Sequence, residues 1–165
     1  MTAAPTLAEA EALLAREGHC LDAQRWQDWL ALYAADAVYW VPCWKGDGTP
    51  TADPDAEVSL IYHDSRAALE DRVWRFTSGR SAASTPLPRT AHAASSIVLD
   101  GDAADPLVHA SWTCHVFDPK HRRQHVFFGR YELRLVREAA GWRIARKKVL
   151  LANDYIPTMI DVYCL

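Results

Sequence analysis

The sequence predicts an α+β domain in which three N-terminal helices pack in a curved, mainly antiparallel sheet. Apolar residues recur at helical spacing in the first half of the chain, and from Arg89 onward the apolar period changes to two. The later strands follow one another without an intervening helical pattern, as in a meander. This order argues against a parallel, doubly wound sheet, which needs crossover helices.

The first two helices are predicted from capping and apolar periodicity. Thr6 and Glu9 form a capping box, because a threonine hydroxyl and a glutamate carboxylate three residues later can accept from the first free amides. A second apolar stripe runs from Trp26 to about Ala35 and leads into the β-rich run 37–41. Two helices followed by a strand are therefore expected here.

The third helix is expected between two segments that are rich in turn-forming residues. The stretch 42–54 is dense in Gly, Pro, Asp and Thr and predicts an exposed loop. After the apolar run 58–62, Asp64 or Ser65 can cap a helix. The Ser/Ala/Pro tract 78–88 should end that helix.

The second half of the chain predicts four strands separated by Gly-Asp, Asp-Pro and Ala-Gly turns, near 90–99, 107–117, 125–136 and 142–152. In the second of these strands the even positions are apolar and the odd positions polar, which indicates one buried face. The final segment 156–165 stays apolar, so we expect it to dock against something. With no repeat or linker visible, residues 1–165 are interpreted as one domain.

Composition narrows the class of function. The formal net charge is -3, so the basic field expected of a nucleic-acid-binding protein is missing. The N-terminus has no basic n-region and carries charges among its apolar residues, so neither a signal peptide nor a membrane span is expected, and the protein is predicted to be cytoplasmic. Seven tryptophans in 165 residues indicate a wide core or extensive partner surfaces, as in an obligate subunit.

The histidines and cysteines show no metal-site pattern. The four cysteines lie at positions 20, 43, 114 and 164 without metal-ligand spacing and are expected to be small buried side chains. His121 and His125 are four residues apart, but on a strand that separation is roughly 13 Å, too far to share a metal ion. Cys114 and His115 are neighbours on a strand and should face opposite ways, which argues against a thiolate–imidazole dyad.

One catalytic alternative stays open. An acid/base pocket inside the domain could use Asp36, Tyr39, His92 and His115 around a small apolar ligand. Such a chain would be a stand-alone isomerase or dehydratase. A small-ligand binding module is a further alternative.

Several motifs in a shared order resemble the β subunits of aromatic-ring-hydroxylating dioxygenases. Most similar are the small subunits of benzoate-, toluate- and anthranilate-type enzymes. The resemblance covers nearly the whole chain and is carried by Val-Ser-Leu-Ile-Tyr at 58–62, Leu-Glu-Asp-Arg-Val-Trp-Arg at 69–75, Pro-Leu-Pro-Arg-Thr-Ala-His at 86–92, Phe-Gly-Arg-Tyr at 128–131 and Asn-Asp-Tyr-Ile at 153–156.

This resemblance implies an NTF2-like/cystatin-like cone and an α3β3 assembly with β–β trimer contacts. It also implies that the Rieske [2Fe-2S] cluster and the mononuclear Fe(II) belong to the catalytic α subunit, which receives electrons from a reductase or ferredoxin. No catalytic, cofactor-binding or metal-binding residue is then expected in this chain. Arg72, Arg75 and Arg89 are candidate interface residues, toward α or a neighbouring β chain, or else form solvated faces.

Overall fold

A computed structural model describes residues 4–80 and 85–165 and has three helices and six strands in these ranges. The helices are α1 (Leu7–Asp22), α2 (Trp26–Leu30) and α3 (Arg66–Thr77); a terminal 3-10 turn spans Val162–Cys164. The strands are β1 (Tyr33–Pro42), β2 (Ser59–His63), β3 (Arg89–Gly101), β4 (Pro106–Asp118), β5 (Arg123–Glu138) and β6 (Gly141–Leu151). The predicted fold class is confirmed.

The six strands form one sheet in the order β2-β1-β6-β5-β4-β3. Neighbouring strands are antiparallel except β1 and β6, which pair in parallel. The helix α1 packs across β3, and α3 packs on β1 and β2. The core therefore lies between the helices and one face of the sheet, and its largest fully buried side chains include Trp29, Trp112, Tyr33, Tyr39 and Phe127.

Two of the predicted helix starts are confirmed in atomic detail. The Thr6 hydroxyl accepts from the Glu9 amide at 3.2 Å, while the Glu9 carboxylate accepts from the Thr6 amide at 2.8 Å. At α3 the Ser65 hydroxyl accepts from the Ala68 amide at 3.2 Å. These side chains satisfy amides that have no partner inside the helix.

The predicted second helix is too long. The helix α2 ends at Leu30, and Tyr33 and Ala34, which the apolar stripe assigned to the helix, begin β1. Sheet pairing explains the change, because the Ile144 amide donates to the Leu32 carbonyl at 2.9 Å and Tyr33 pairs with Ile144. Tertiary hydrogen bonding here overrides a local helical preference.

The terminal segment docks inside its own chain. Residues 162–165 are at most 4% exposed, and the terminal turn contacts α1, β3 and β4. The Tyr163 ring packs edge-on against Phe76 of α3, with ring centroids 5.1 Å apart. The segment thus completes the core between the helices and the sheet.

No helix among the described residues is long and apolar enough to span a membrane.

Candidate functional site

A buried ion pair joins α1 to β6. The Lys147 ammonium donates to both carboxylate oxygens of Glu17, at 2.8 and 2.9 Å, and the two side chains are 0% and 2% exposed. The same carboxylate accepts hydrogen bonds from the Tyr33 hydroxyl and from the Trp29 indole. Lys147 also donates to the backbone oxygen of Leu165 at 3.4 Å, which connects the pair to the terminal segment.

Aromatic rings enclose this ion pair. The Lys147 nitrogen lies 4.1 Å from the centroid of Tyr131 and 5.5 Å from that of Tyr39, within the range of cation–π attraction. Burial lowers the pKa of Lys147, and the Glu17 carboxylate opposes that change. Burial and the Glu17 charge raise the pKa of Tyr33, Tyr39 and Tyr131 well above the usual value. These phenols therefore stay neutral and do not serve as bases near neutral pH.

A second polar contact joins the end of α1 to β3. The Asp22 carboxylate faces the Nδ1 atom of His92 at 2.5 Å, and it accepts from the His92 amide at 2.9 Å and the Thr90 hydroxyl at 2.8 Å. Burial acts to raise the pKa of Asp22, but the hydrogen bonds from His92 and Thr90 outweigh it and lower that pKa. His92 is only 5% exposed, so this pair is largely inside the protein.

The third polar contact fixes the terminal segment. The Arg72 guanidinium of α3 forms a two-pronged ion pair with the Asp161 carboxylate, with Nε 3.0 Å from each oxygen. Asp161 is 1% exposed and also accepts from the Val162 amide at 2.8 Å, which starts the terminal turn. The hydrogen bond that Arg72 donates to the Asp161 carboxylate raises the pKa of Arg72. Arg72 therefore has a structural role within the chain, and its proposed place in a subunit interface stays a prediction.

The other two candidate interface arginines are exposed. Arg75 lies on α3 beside Trp74, whose side chain is 58% exposed. The Arg89 guanidinium lies over the Phe117 ring at 5.7 Å, where β3 meets β4. Arginine and aromatic side chains are both enriched in protein interfaces.

The four residues of the alternative acid/base pocket are not brought together. Asp36 is exposed on β1, whereas Tyr39 of the same strand points into the core. His92 pairs across strands with the buried Cys114, so the next residue on β4, His115, lies on the opposite, exposed face. These positions give no shared pocket for acid/base chemistry.

The donor groups that the structure describes do not fit an iron centre. Among residues 4–80 and 85–165 no three His, Cys, Asp or Glu side chains lie close enough to hold a metal ion. His121 bonds to Asp118 at 2.7 Å, while the His125 ring packs on Phe127 at 4.6 Å. Burial raises the pKa of the Cys164 thiol to about 12, which disfavours the thiolate that an iron–sulfur cluster needs.

Comparison with known proteins assigns the family. A sequence model of the ring hydroxylating beta subunit family matches residues 16–158. The chain belongs to this family.

Relatives of known type agree with this assignment. The chain is 39% identical over 152 residues to the 2-halobenzoate 1,2-dioxygenase small subunit of Burkholderia cepacia, covering 92% of each chain. It is 37% identical to the toluate 1,2-dioxygenase subunit beta of Pseudomonas putida, covering 91% and 92%. The crystal structure of the benzoate 1,2-dioxygenase beta subunit of Burkholderia mallei superposes with a TM-score of 0.80 at 32% identity and 100% coverage of both chains.

Sequence reasoning missed the main polar contacts of this family member. Glu17, Lys147 and Asp161 were not singled out, although the structure buries all three. A signal existed for Lys147, because it has the same strand parity as the buried Val149 and Leu151. Asp161 had no comparable signal, since it lies in a segment without regular periodicity.

Proposed function

We propose that this chain is the small, non-catalytic subunit of a multicomponent dioxygenase that hydroxylates a benzoate-type aromatic acid. The observation that carries the proposal is its membership of the ring hydroxylating beta subunit family over residues 16–158. The relatives that are 37–39% identical over about nine-tenths of the chain are small subunits of halobenzoate, toluate and benzoate dioxygenases. The subunit would support assembly and orient its catalytic partner.

The proposed partner is a catalytic α subunit in an α3β3 complex with β–β contacts, placed in the cytoplasm. The Rieske cluster and mononuclear iron would belong to α, which would receive electrons from a reductase or ferredoxin. Two features of this chain support that division. Its described side chains offer no metal-ligand cluster, and burial raises the pKa of the Cys114 and Cys164 thiols.

The packing of the interior supports a non-catalytic role. Charged groups inside the domain form ion pairs with one another, as in the Glu17–Lys147 and Arg72–Asp161 pairs. The phenols around them are held neutral. Asp36 and His115 lie on exposed surfaces, so the four residues of the alternative acid/base pocket do not share one site, which argues against the stand-alone isomerase or dehydratase.

The proposed contacts with partner chains involve Arg75 and Arg89. Both are exposed; Arg75 follows the exposed Trp74 on α3, and Arg89 lies over the Phe117 ring. Arg72 would act indirectly, by holding the terminal segment and hence the position of α3.

The test is reconstitution of the oxygenase from separately expressed α and this chain. Subunit stoichiometry is measured by size exclusion, and product is measured per intact complex. His115→Ala and His92→Ala should each reduce turnover per complex far less than the loss of a catalytic acid or base, which typically costs about 10²–10⁴-fold. Arg75→Glu and Arg89→Glu should weaken assembly, because placing two like charges opposite each other in an interface costs on the order of several kcal/mol.

A matched control uses Arg16→Glu, which reverses an exposed charge on α1. Assembly unchanged by Arg75→Glu and Arg89→Glu relative to Arg16→Glu would remove the interface proposal. A loss beyond roughly 10³-fold in turnover per intact complex for His115→Ala would contradict the non-catalytic role.

A further inference from the structure

The face of the sheet that points away from the helices carries an excess of positive charge. Neighbouring side chains on a strand point to opposite faces, and Tyr131, Leu133 and Leu135 of β5 are buried in the core. The residues that alternate with them on β5, and the partners of those residues on β6, therefore lie on the opposite face. We call this surface the outer face and define it by Phe128, Arg130, Glu132, Arg134, Arg146 and Lys148. Four of these residues are cationic and one is anionic, which gives a formal charge of +3.

The cations of the outer face are only partly neutralised within the chain. Arg134 and Arg146 lie directly opposite each other on β5 and β6, and like charges in that position repel. Arg134 pairs with Asp105, and both of these side chains are exposed to solvent. Arg130 and Arg146 form no ion pair with any carboxylate in residues 4–80 and 85–165. A carboxylate from outside the chain would therefore relieve repulsion on this face.

A buried tryptophan beneath two of these cations holds the outer face in shape. Trp40 is 2% exposed but does not belong to the core cluster, because it pairs with Lys148 and shares its face of the sheet. Arg146 and Lys148 lie over its ring, 5.3 and 5.4 Å from the centroid, and its indole donates to the Ser59 hydroxyl at 2.8 Å. Charges held in this way lose less conformational entropy when a partner binds.

The same chain carries an exposed acidic segment of equal and opposite charge. Residues 45–57, between β1 and β2, contain four carboxylates and one lysine, which gives a formal charge of -3. The Trp44 indole anchors one end of the segment to the Leu151 carbonyl, and the Glu57 carboxylate accepts from two backbone amides inside it. Hydrogen bonds lower the pKa of Asp47 and of Glu57, so both stay ionised at neutral pH.

We propose that the outer face of one copy of this chain docks the acidic segment 45–57 of a second copy. Among the described residues no ion pair joins the two surfaces within one chain, since the segment pairs internally through Lys45 and Glu57. Both surfaces are therefore available to a neighbour, and their charges are complementary. Phe128, which is 46% exposed, adds apolar area to the contact.

The two surfaces are different, so the contact is heterologous, and its repetition closes into a ring or extends into an open chain. The inference rests on the proposed function for the existence of β–β contacts, and it names the surfaces that form them. A second copy is the occupant because the opposite charge is present on this chain itself.

The experiment is sedimentation of the purified full chain, which gives the dissociation constant for self-association. The wild-type chain should associate at micromolar concentration, and salt should weaken association, because the Debye length falls from roughly 30 Å at 0.01 M to about 8 Å at 0.15 M. Arg130→Glu combined with Arg134→Glu should raise the dissociation constant by about 100-fold, since like charges then meet across the contact. Asp47→Lys combined with Asp55→Lys should have the same effect.

Combining all four changes in one chain provides the most specific variant. Both surfaces are then reversed, so opposite charges meet again between copies and most of the lost affinity should return. Arg16→Glu reverses an exposed charge on α1 and should leave the dissociation constant unchanged. Circular dichroism checks that each variant is folded, and Arg134→Glu should be tolerated because it places a carboxylate opposite Arg146.

Four outcomes overturn the proposal. The first is a wild-type chain that stays monomeric at micromolar concentration and low salt. The second is association that neither pair of reversals weakens. The third is a chain with all four changes that associates as weakly as the chains with one surface reversed. The fourth is an outer-face reversal that weakens binding of α and not self-association, because α is then the occupant. Failure of the wild-type chain to bind α at all would instead refute the proposed function, so the two failures are distinguishable.

Discussion

Replacing Lys147 with methionine should destabilise the chain by about 3–5 kcal/mol, the cost of leaving one member of a buried ion pair without its partner. The structure supports the upper part of that range, because Glu17 is 2% exposed and loses both of its hydrogen bonds from the ammonium. The remaining donors, Tyr33 and Trp29, are neutral and both bind Oε1. Folded domains are stable by only about 5–15 kcal/mol in total, so the effect should be large.

The measurement is urea unfolding of the purified chain, followed by tryptophan fluorescence. The neighbouring Lys148 provides the control, since it lies on the same strand and pairs with Glu132 at 3.3 Å while the two side chains are 24% and 44% exposed. Lys148→Met should cost about 1 kcal/mol or less for its ion pair. Adding Glu17→Gln to Lys147→Met should restore part of the loss, because the buried charge is removed. Equal losses for Lys147→Met and Lys148→Met would refute the reasoning.

Two further predictions concern the other polar contacts. Arg72→Met should lower the free energy of unfolding by about 2–3 kcal/mol, since Asp161 is 1% exposed and loses a charged donor. Faster proteolysis of residues 159–165 should accompany this loss of stability. A free energy of unfolding equal to that of the wild type would contradict the prediction. Asp22 has a folded pKa below its unfolded value, so its contribution is present above the unfolded pKa and is lost as pH falls through the folded pKa. Asp22→Asn should therefore flatten the loss of stability in acid, measured as urea midpoints from about pH 6 to pH 3; an unchanged slope would count against it.

Local sequence signals were sufficient where the decisive contacts are local. Ser65 caps α3 with its own side chain, and the alternation in β4 sorts buried Trp112 and Cys114 from exposed His115. The end of α2 depends instead on a carbonyl at Leu32 that accepts from β6, more than a hundred residues later. The residues near Leu32 in the sequence give no sign of this hydrogen bond with β6, so the apolar stripe alone does not show where α2 ends.

The buried charged residues Glu17 and Lys147 can be located from sequence periodicity, but their pairing cannot. Glu17 follows Ala10, Leu13 and Leu14 at helical spacing, so it is in phase with the buried face of α1. Lys147 is likewise in phase with the buried face of β6. A charge that burial brings out of water needs an opposite charge nearby, so the two phases together predict a buried glutamate and a buried lysine. These two phases do not predict the pairing of Glu17 with Lys147, because that pairing depends on how α1 packs against the folded sheet. Arg72 illustrates the consequence: its position on α3 was compatible with an interface, and only the fold of the terminal segment brings Asp161 to it.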